Sequence, residues 1–188
     1  MKYSCFIIFY LLLTLSIQAL VVPVSDTPVL QDDNMLTNFV RNDPDDKKPE
    51  ENPTKVWLWQ QGNNLMIHFS CPIDSQFVVG PVEVRDEAMF SDYVSVQLIT
   101  LPYAYFAYYY TGYPNGNLVD GIRKEDMSVD LNWDSKYSYK TSYDDKNWEL
   151  TMQIPLGELR FKYDLLYNWY IILSRYIYFT TEYLCFPY

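Results

Sequence analysis

Residues 55–69 read Lys55-Val56-Trp57-Leu58-Trp59-Gln60-Gln61-Gly62-Asn63-Asn64-Leu65-Met66-Ile67-His68-Phe69. Side chains change face with a period of two on both sides of Gln61-Gly62-Asn63-Asn64, and that polar, glycine-containing break is the composition of a tight turn. The stretch predicts a β-hairpin. Trp57 and Trp59 fall on the same side of its first strand, which suits packing in a core. His68, the one histidine, lies opposite Ile67 and Phe69 and reads as a half-exposed strand residue.

The same period continues toward the carboxy terminus. In Tyr93–Thr100 (YVSVQLIT), Val94, Val96 and Leu98 share one side while Ser95 and Gln97 share the other. An aromatic strand, Ala104–Tyr110, runs into the turn Gly112-Tyr113-Pro114-Asn115-Gly116. Leu118–Ile122, Lys136–Ser142, Trp148–Ile154 and Trp169–Ile177 complete a set of short strands separated by Gly, Pro, Asn and Asp clusters. Gly157–Phe161 predicts one helical turn after Pro155, and Thr180–Tyr188 reads as an edge strand or as a tail pinned by Cys185. No segment after residue 19 carries a long 3.6-residue apolar period with helix caps, and strand-favouring Tyr, Trp, Phe, Val and Ile dominate. The expected fold class is all-β: an antiparallel β-sandwich, jelly-roll-like and of immunoglobulin-like size.

Toward the amino terminus the pattern dissolves. Residues 20–52 form an acidic leader rich in Pro, Asp and Asn, with one candidate strand near 36–40 that belongs with the sandwich of residues 53–188. Asp43, Asp45 and Asp46 supply hard oxygen atoms, but their spacing lacks the glycine and distal glutamate of an EF-hand loop. A solvated loop is the expectation and no cofactor is called for, with a structural calcium left open. Residues 1–19 run from Lys2 through the apolar Cys5–Leu15 to the polar exit Ser16-Ile17-Gln18-Ala19, the order of a cleaved signal peptide. The mature chain is therefore expected to be secreted, periplasmic or held at the cell envelope, with no transmembrane segment. Export leaves Cys71 and Cys185 as a pair in an oxidising compartment, which predicts a disulfide, two buried free thiols being the alternative.

The net charge of −10 repels phosphate backbones, and no Lys/Arg cluster offers a local exception. Nucleic acid is excluded as a partner on that ground. No Gly-x-Ser-x-Gly, His-Glu-x-x-His, Cys-x-x-Cys or phosphate-binding loop is present, so the chain is expected not to be an enzyme.

A series of short motifs runs through residues 36–175: Phe39-Val40 with Asp43-Pro44; the hairpin Val56–Cys71; Arg85-Asp86, then Asp92-Tyr93; Tyr108–Gly116 with Asp120-Gly121; Trp148-Glu149; Ile154-Pro155-Leu156 with Leu159-Arg160-Phe161; and Trp169 with Ser174-Arg175. In this order they resemble the carbohydrate-binding modules of family 9, in particular the module at the front of some bacterial outer-membrane barrel proteins of unknown function. The resemblance implies a non-catalytic sugar-binding sandwich that can travel with glycoside hydrolases and serve polysaccharide catabolism. Sugar-binding members resemble a slot between two Trp rings with a carboxylate and an Arg-x-Asn grip. Here the corresponding positions are Ser95 for the carboxylate, and Thr111 and Tyr113 for the grip.

Sugar recognition needs flat aromatic faces against the C–H faces of a pyranose, with hydrogen-bonding groups around the ring edge. With 19 Tyr and 18% aromatics, platforms are plentiful. The candidates nearest loops are Tyr93, Tyr113, Trp133 and Trp148, with Asn115 as a polar neighbour. Arg85, Arg160 and Arg175 are expected to pair with carboxylates such as Asp86, Asp92 or Glu158 and hold loops in place. The alternative function is a structural or protein-interaction sandwich of the cell envelope that has lost sugar binding, with an envelope protein as partner.

Overall fold

The computed structural model describes residues 20–87, 90–101, 105–161 and 169–187. The expected signal peptide lies outside these residues. The strands are β1 (Val40–Asp43), β2 (Lys55–Gln61), β3 (Asn64–Pro72), β4 (Tyr93–Ile99), β5 (Phe106–Gly112), β6 (Leu118–Lys124), β7 (Val129–Asp130), β8 (Ser138–Tyr143), β9 (Asn147–Pro155), β10 (Tyr170–Ile177) and β11 (Glu182–Phe186). They form a four-stranded sheet, β2-β3-β9-β8, and a seven-stranded sheet, β1-β11-β10-β4-β5-β6-β7. All pairings between these strands are antiparallel. Neither sheet closes on itself, so the fold is the open β-sandwich that the period of two demands. The only helical pieces described are two single turns, Asp32–Asn34 and Leu156–Glu158, and no helix is long and apolar enough to cross a membrane.

The hairpin of β2 and β3 forms as read, with Val56 opposite Phe69 and Leu58 opposite Ile67. Gly62 takes φ +55 in its turn, a conformation that a side chain resists. Val56, Leu58, Ile67, Phe69, Leu150, Met152 and Ile154 of the smaller sheet meet Val94, Val96, Leu98, Tyr108, Tyr110 and Leu173 of the larger one, all buried in one cluster. The sheets approach closely at Gly112, where an added Cβ would lie 2.6 Å from Leu150 Cδ1. Apolar burial between two such faces is the main favourable term, at about 25 cal/mol per Å².

Trp57 and Trp59 are buried but stand outside that cluster. Alternation puts them on the outer face of β2, where the leader folds over the strand. Gln60 N–H donates to Pro23 O at 2.8 Å, Ser25 N–H donates to Gln60 O at 2.9 Å, and Trp57 Nε1 donates to Gln31 O at 3.0 Å. Leu36 and Val56 exchange two backbone hydrogen bonds of 2.8 Å. The leader thereby occupies the free edge of β2 and removes an open template for aggregation. Phe39, also in the leader, is fully buried in the inter-sheet cluster.

Two expectations at the carboxy terminus are corrected. Residues 182–186 form neither an edge strand nor a tail: β11 lies between β1 and β10 and pairs with both. The Cys71–Cys185 disulfide is absent, and both thiols are free. Cys71 points from β3 into the inter-sheet core, whereas Leu184 takes the inward position on β11 and turns Cys185 to the far side of the larger sheet. A disulfide would have to pass through that sheet. Burial pushes the Cys71 thiol up to about 12, so it is an inert core side chain.

Candidate functional site on the outer face of the seven-stranded sheet

Because Val94, Val96 and Leu98 face the core, Tyr93, Ser95, Gln97 and Ile99 of β4 face outward. Strand register extends this into rows. Cys185, Ser174, Ser95, Thr111 and Val119 are successive partners across β11, β10, β4, β5 and β6, a line of small side chains. Beside it run Tyr183, Tyr176 and Tyr93, and on the opposite side run Ile172, Gln97, Tyr109 and Gly121. The flanking tyrosines close over the small row. Tyr183 Oη donates to Ser174 Oγ at 2.9 Å, and Tyr93 stacks on Tyr176 with ring centres 5.0 Å apart.

Next to the tyrosines the same face opens into a groove of about 510 Å³, within the usual range for a small-ligand site. Its floor is Gln97, Ile99, Ala107 and Ile172. Tyr183 and Cys185 stand on one side, and Arg123 and Met127 on the other. Tyr105, 74% exposed, stands in the groove wall, and Tyr170, 66% exposed, sits opposite Ile99 on β10. The wall made by β6 and β7 is pressed close: a Cβ on Gly121 would lie 2.6 Å from Asp130 O, so only glycine fits.

Three buried polar atoms on this face have no hydrogen-bond partner: Ser95 Oγ, Thr111 Oγ1 and Arg123 Nε. The Tyr183 phenol is nevertheless near enough to Ser95 for each to feel the other. Buried groups of this kind are costly unless water or a ligand completes them. Burial raises the phenols of Tyr93, Tyr113 and Tyr183 and the thiol of Cys185 above their ordinary values, so all are neutral at physiological pH. Arg123, Lys124 and Glu125 are the charged side chains lining the groove.

The residues singled out from sequence separate. Tyr93 and Tyr113 lie on this face, their ring centres 5.7 Å apart, but each spends its surface on another tyrosine, and Tyr113 is only 5% exposed. Trp148 is corrected from platform to core: it is fully buried, its Nε1 donates to Thr141 Oγ1 at 2.7 Å, and its ring packs near Phe77. Trp133 is half-buried against Tyr108 and Tyr110 on the core side. Asn115 braces a loop, its Nδ2 donating to Gly80 O and Pro81 O. Gln97, Tyr105, Arg123 and Tyr170 were not selected from the sequence. The one available signal was the Ser95/Gln97 alternation in an otherwise apolar strand.

Other charged clusters are ion-paired internally, although Arg85 Nε and Arg175 Nε are, like Arg123 Nε, buried without a hydrogen-bond partner. Arg85 pairs with Asp120, Asp86 and Asp134, whose carboxylate oxygens lie within 4.8 Å of one another, so its guanidinium neutralises that cluster. Asp46 pairs with Arg41 and Lys48, and Asp45 with Lys47. His68, held below its ordinary pKa by burial despite Glu149, bonds Thr151 and Glu149 on the outer face of the smaller sheet. A second concavity, of about 450 Å³, holds Arg41, Glu50, Arg175 and Glu182 already paired among themselves.

Asp92 borders that concavity. It is buried, and its Oδ1 accepts from the N–H groups of Val78 and Tyr178 at 3.3 and 3.1 Å. Burial pushes its carboxyl up to about 6. A raised carboxyl contributes stability that is complete below its unfolded value of about 3.9 and is lost as pH rises through about 6. Asp92→Asn keeps an acceptor oxygen and abolishes the titration. Denaturation from pH 4 to 8 is expected to show the wild type losing about 1–3 kcal/mol relative to Asp92→Asn across that window; parallel curves would refute it.

The chain is an open β-sandwich: two antiparallel sheets with a groove across the outer side of one. No family model matches the sequence, and no curated protein matches it either. The fold is that of the family 9 carbohydrate-binding modules. A protein from Bacteroides uniformis, described as a candidate carbohydrate-binding protein, superposes with a TM-score of 0.63 at 11% identity over 87% of each chain. A family 9 module from Caldicellulosiruptor kristjanssonii in complex with glucose gives 0.53 at 12% identity, covering 87% of this chain and 83% of its own. The same organism's module with cellotriose gives 0.52 at 12%, covering 88% and 80%. At these identities the likeness is one of fold.

Proposed function

We propose that the chain is an exported, non-catalytic module that binds a glycan in the groove of the seven-stranded sheet, in the service of polysaccharide breakdown. The observation that carries this is the meeting, in one groove, of an apolar floor, an exposed tyrosine and an arginine that makes no ion pair among the described residues. Ile99 and Tyr105 offer surface to the C–H face of a pyranose, and Arg123, with the largely buried Gln97 beneath, offers hydrogen bonds to its hydroxyls. The fold supports the reading, since family 9 modules hold glucose and cellotriose. Calorimetry of the folded protein against a panel of oligosaccharides tests it. Tyr105→Ala and Gln97→Ala are each expected to weaken binding roughly tenfold, about 1.4 kcal/mol, with little change in stability for Tyr105→Ala. No binding to any member of the panel, or binding indifferent to both substitutions, would remove the proposal.

The mutual packing of Tyr93, Tyr113 and Tyr176, with Ser95 and Thr111 at the expected polar positions, favours a second reading: an envelope interaction module that has lost sugar binding. An envelope protein captured on this face and retained in excess sugar would select it.

A further inference from the structure

We infer that the groove receives a glycan bearing an isolated carboxylate, a uronic acid within an otherwise neutral chain, with Arg123 as the receptor of that group. The inference rests on the glycan reading above and deepens it. Arg41, Arg85 and Arg175, the other described arginines that are not exposed, each pair with at least one carboxylate. Arg123 makes no ion pair among the described residues. With 24 acidic against 14 basic residues in the chain, carboxylates are not scarce, so the unpaired state follows from where the side chain points.

It points into the groove. Its guanidinium carbon lies 5.9 Å from the centre of the Tyr109 ring, a cation–π placement that orients the planar fork without neutralising it. Its Nη2 meets only the thioether of Met127, at 3.9 Å, a weak acceptor. Its Nε is buried and unpartnered. A half-buried, oriented fork without a carboxylate partner is the geometry that takes a carboxylate in two parallel hydrogen bonds. Neighbouring Lys124 is already committed to Asp130 at 3.2 Å and Glu125 brings a negative charge to the same groove, so no more than a single anionic group is matched.

The net charge of −10 adds the second half of the specificity. A uniformly anionic polysaccharide is repelled by that field, whereas one carboxylate among neutral sugars meets the local cation at little long-range cost. The apolar floor of Ile99, Ala107 and Ile172 then holds the neutral part.

Calorimetry of the whole chain with matched pairs tests this: xylo-oligosaccharides of one length with and without a single glucuronic acid, and cellobiose against its glucuronic-acid counterpart. The acid-bearing member of at least one pair is expected to bind roughly tenfold tighter or more, with the preference shrinking as salt rises. Arg123→Gln should lose the preference and bind both members alike, and Arg123→Lys should keep part of it; thermal unfolding checks that both fold. Equal affinities in the wild type, or a preference that survives Arg123→Gln, would overturn the inference. So would failure of every acid-bearing probe to bind, and continued binding of neutral glycans from the wider panel would then leave the glycan reading intact.

Discussion

Replacing Glu50 with alanine is expected to destabilise the sandwich by about 3–5 kcal/mol, the cost of leaving a buried charge without its partner. Glu50 and Arg175 are 8% and 5% exposed at their side chains and meet at 2.7 Å. Arg175 also donates to Thr54 Oγ1 at 3.1 Å and to Pro72 O at 2.6 Å, while Glu50 accepts from Thr54 N–H at 2.6 Å. The cluster ties together the leader, the residue before β2, the end of β3 and the middle of β10. In Glu50→Ala the guanidinium stays buried with hydrogen bonds but no counter-charge. The double variant Glu50→Leu/Arg175→Met removes both charges and is expected to regain most of the loss. Urea denaturation reads both, as a shift in midpoint at constant slope; a loss under about 1 kcal/mol for Glu50→Ala would show that the pair adds little.

Trp148→Ala is expected to cost about 3–5 kcal/mol, through lost burial and the cavity left behind. The side chain is fully buried between Cys71, its cross-strand partner, and Phe77. Its removal also strands Thr141 Oγ1, which accepts the indole N–H. Where the variant folds, its glycan affinity should match the wild type, because Trp148 lies in the core and the groove lies beyond the other sheet. Tyr105→Ala has the opposite signature, with affinity lost and stability kept. Calorimetry and thermal unfolding on the two proteins separate core from site, and an affinity loss confined to Trp148→Ala would put the site elsewhere.

Much of the sandwich was legible because strand alternation is local. In residues 55–69 and 93–100 the period of two assigns each side chain to a face without knowledge of its partners, and β2, β3 and β4 form there. Alternation does not say which of two apolar-looking faces meets the other sheet. Trp57 and Trp59 share a face as read, yet that face is covered by the leader rather than by the second sheet. The arginines behaved similarly: Arg85 meets Asp86 close by in sequence, but Arg175 meets Glu50, 125 residues away.

The site was less legible for the same reason. Tyr93 and Tyr113 lie beside Ser95 and Thr111, which neighbouring strands bring into register as cross-strand partners. Exposure was not available from residue type, and it separates Tyr105 from Trp148. The sequence by itself determined an all-β sandwich, most of its strands though not β7 or the place of β11, the polar flank of β4 and an acidic character that turns polyanions away. Only the tertiary structure decided that Cys71 and Cys185 stand on opposite sides of one sheet, that Trp148 is core, and that Gln97, Tyr105 and Arg123 share a groove. The period of a strand is written in adjacent residues, whereas a groove is made by side chains from β4, β5, β6, β10 and β11, which the chain brings together only by crossing between two sheets.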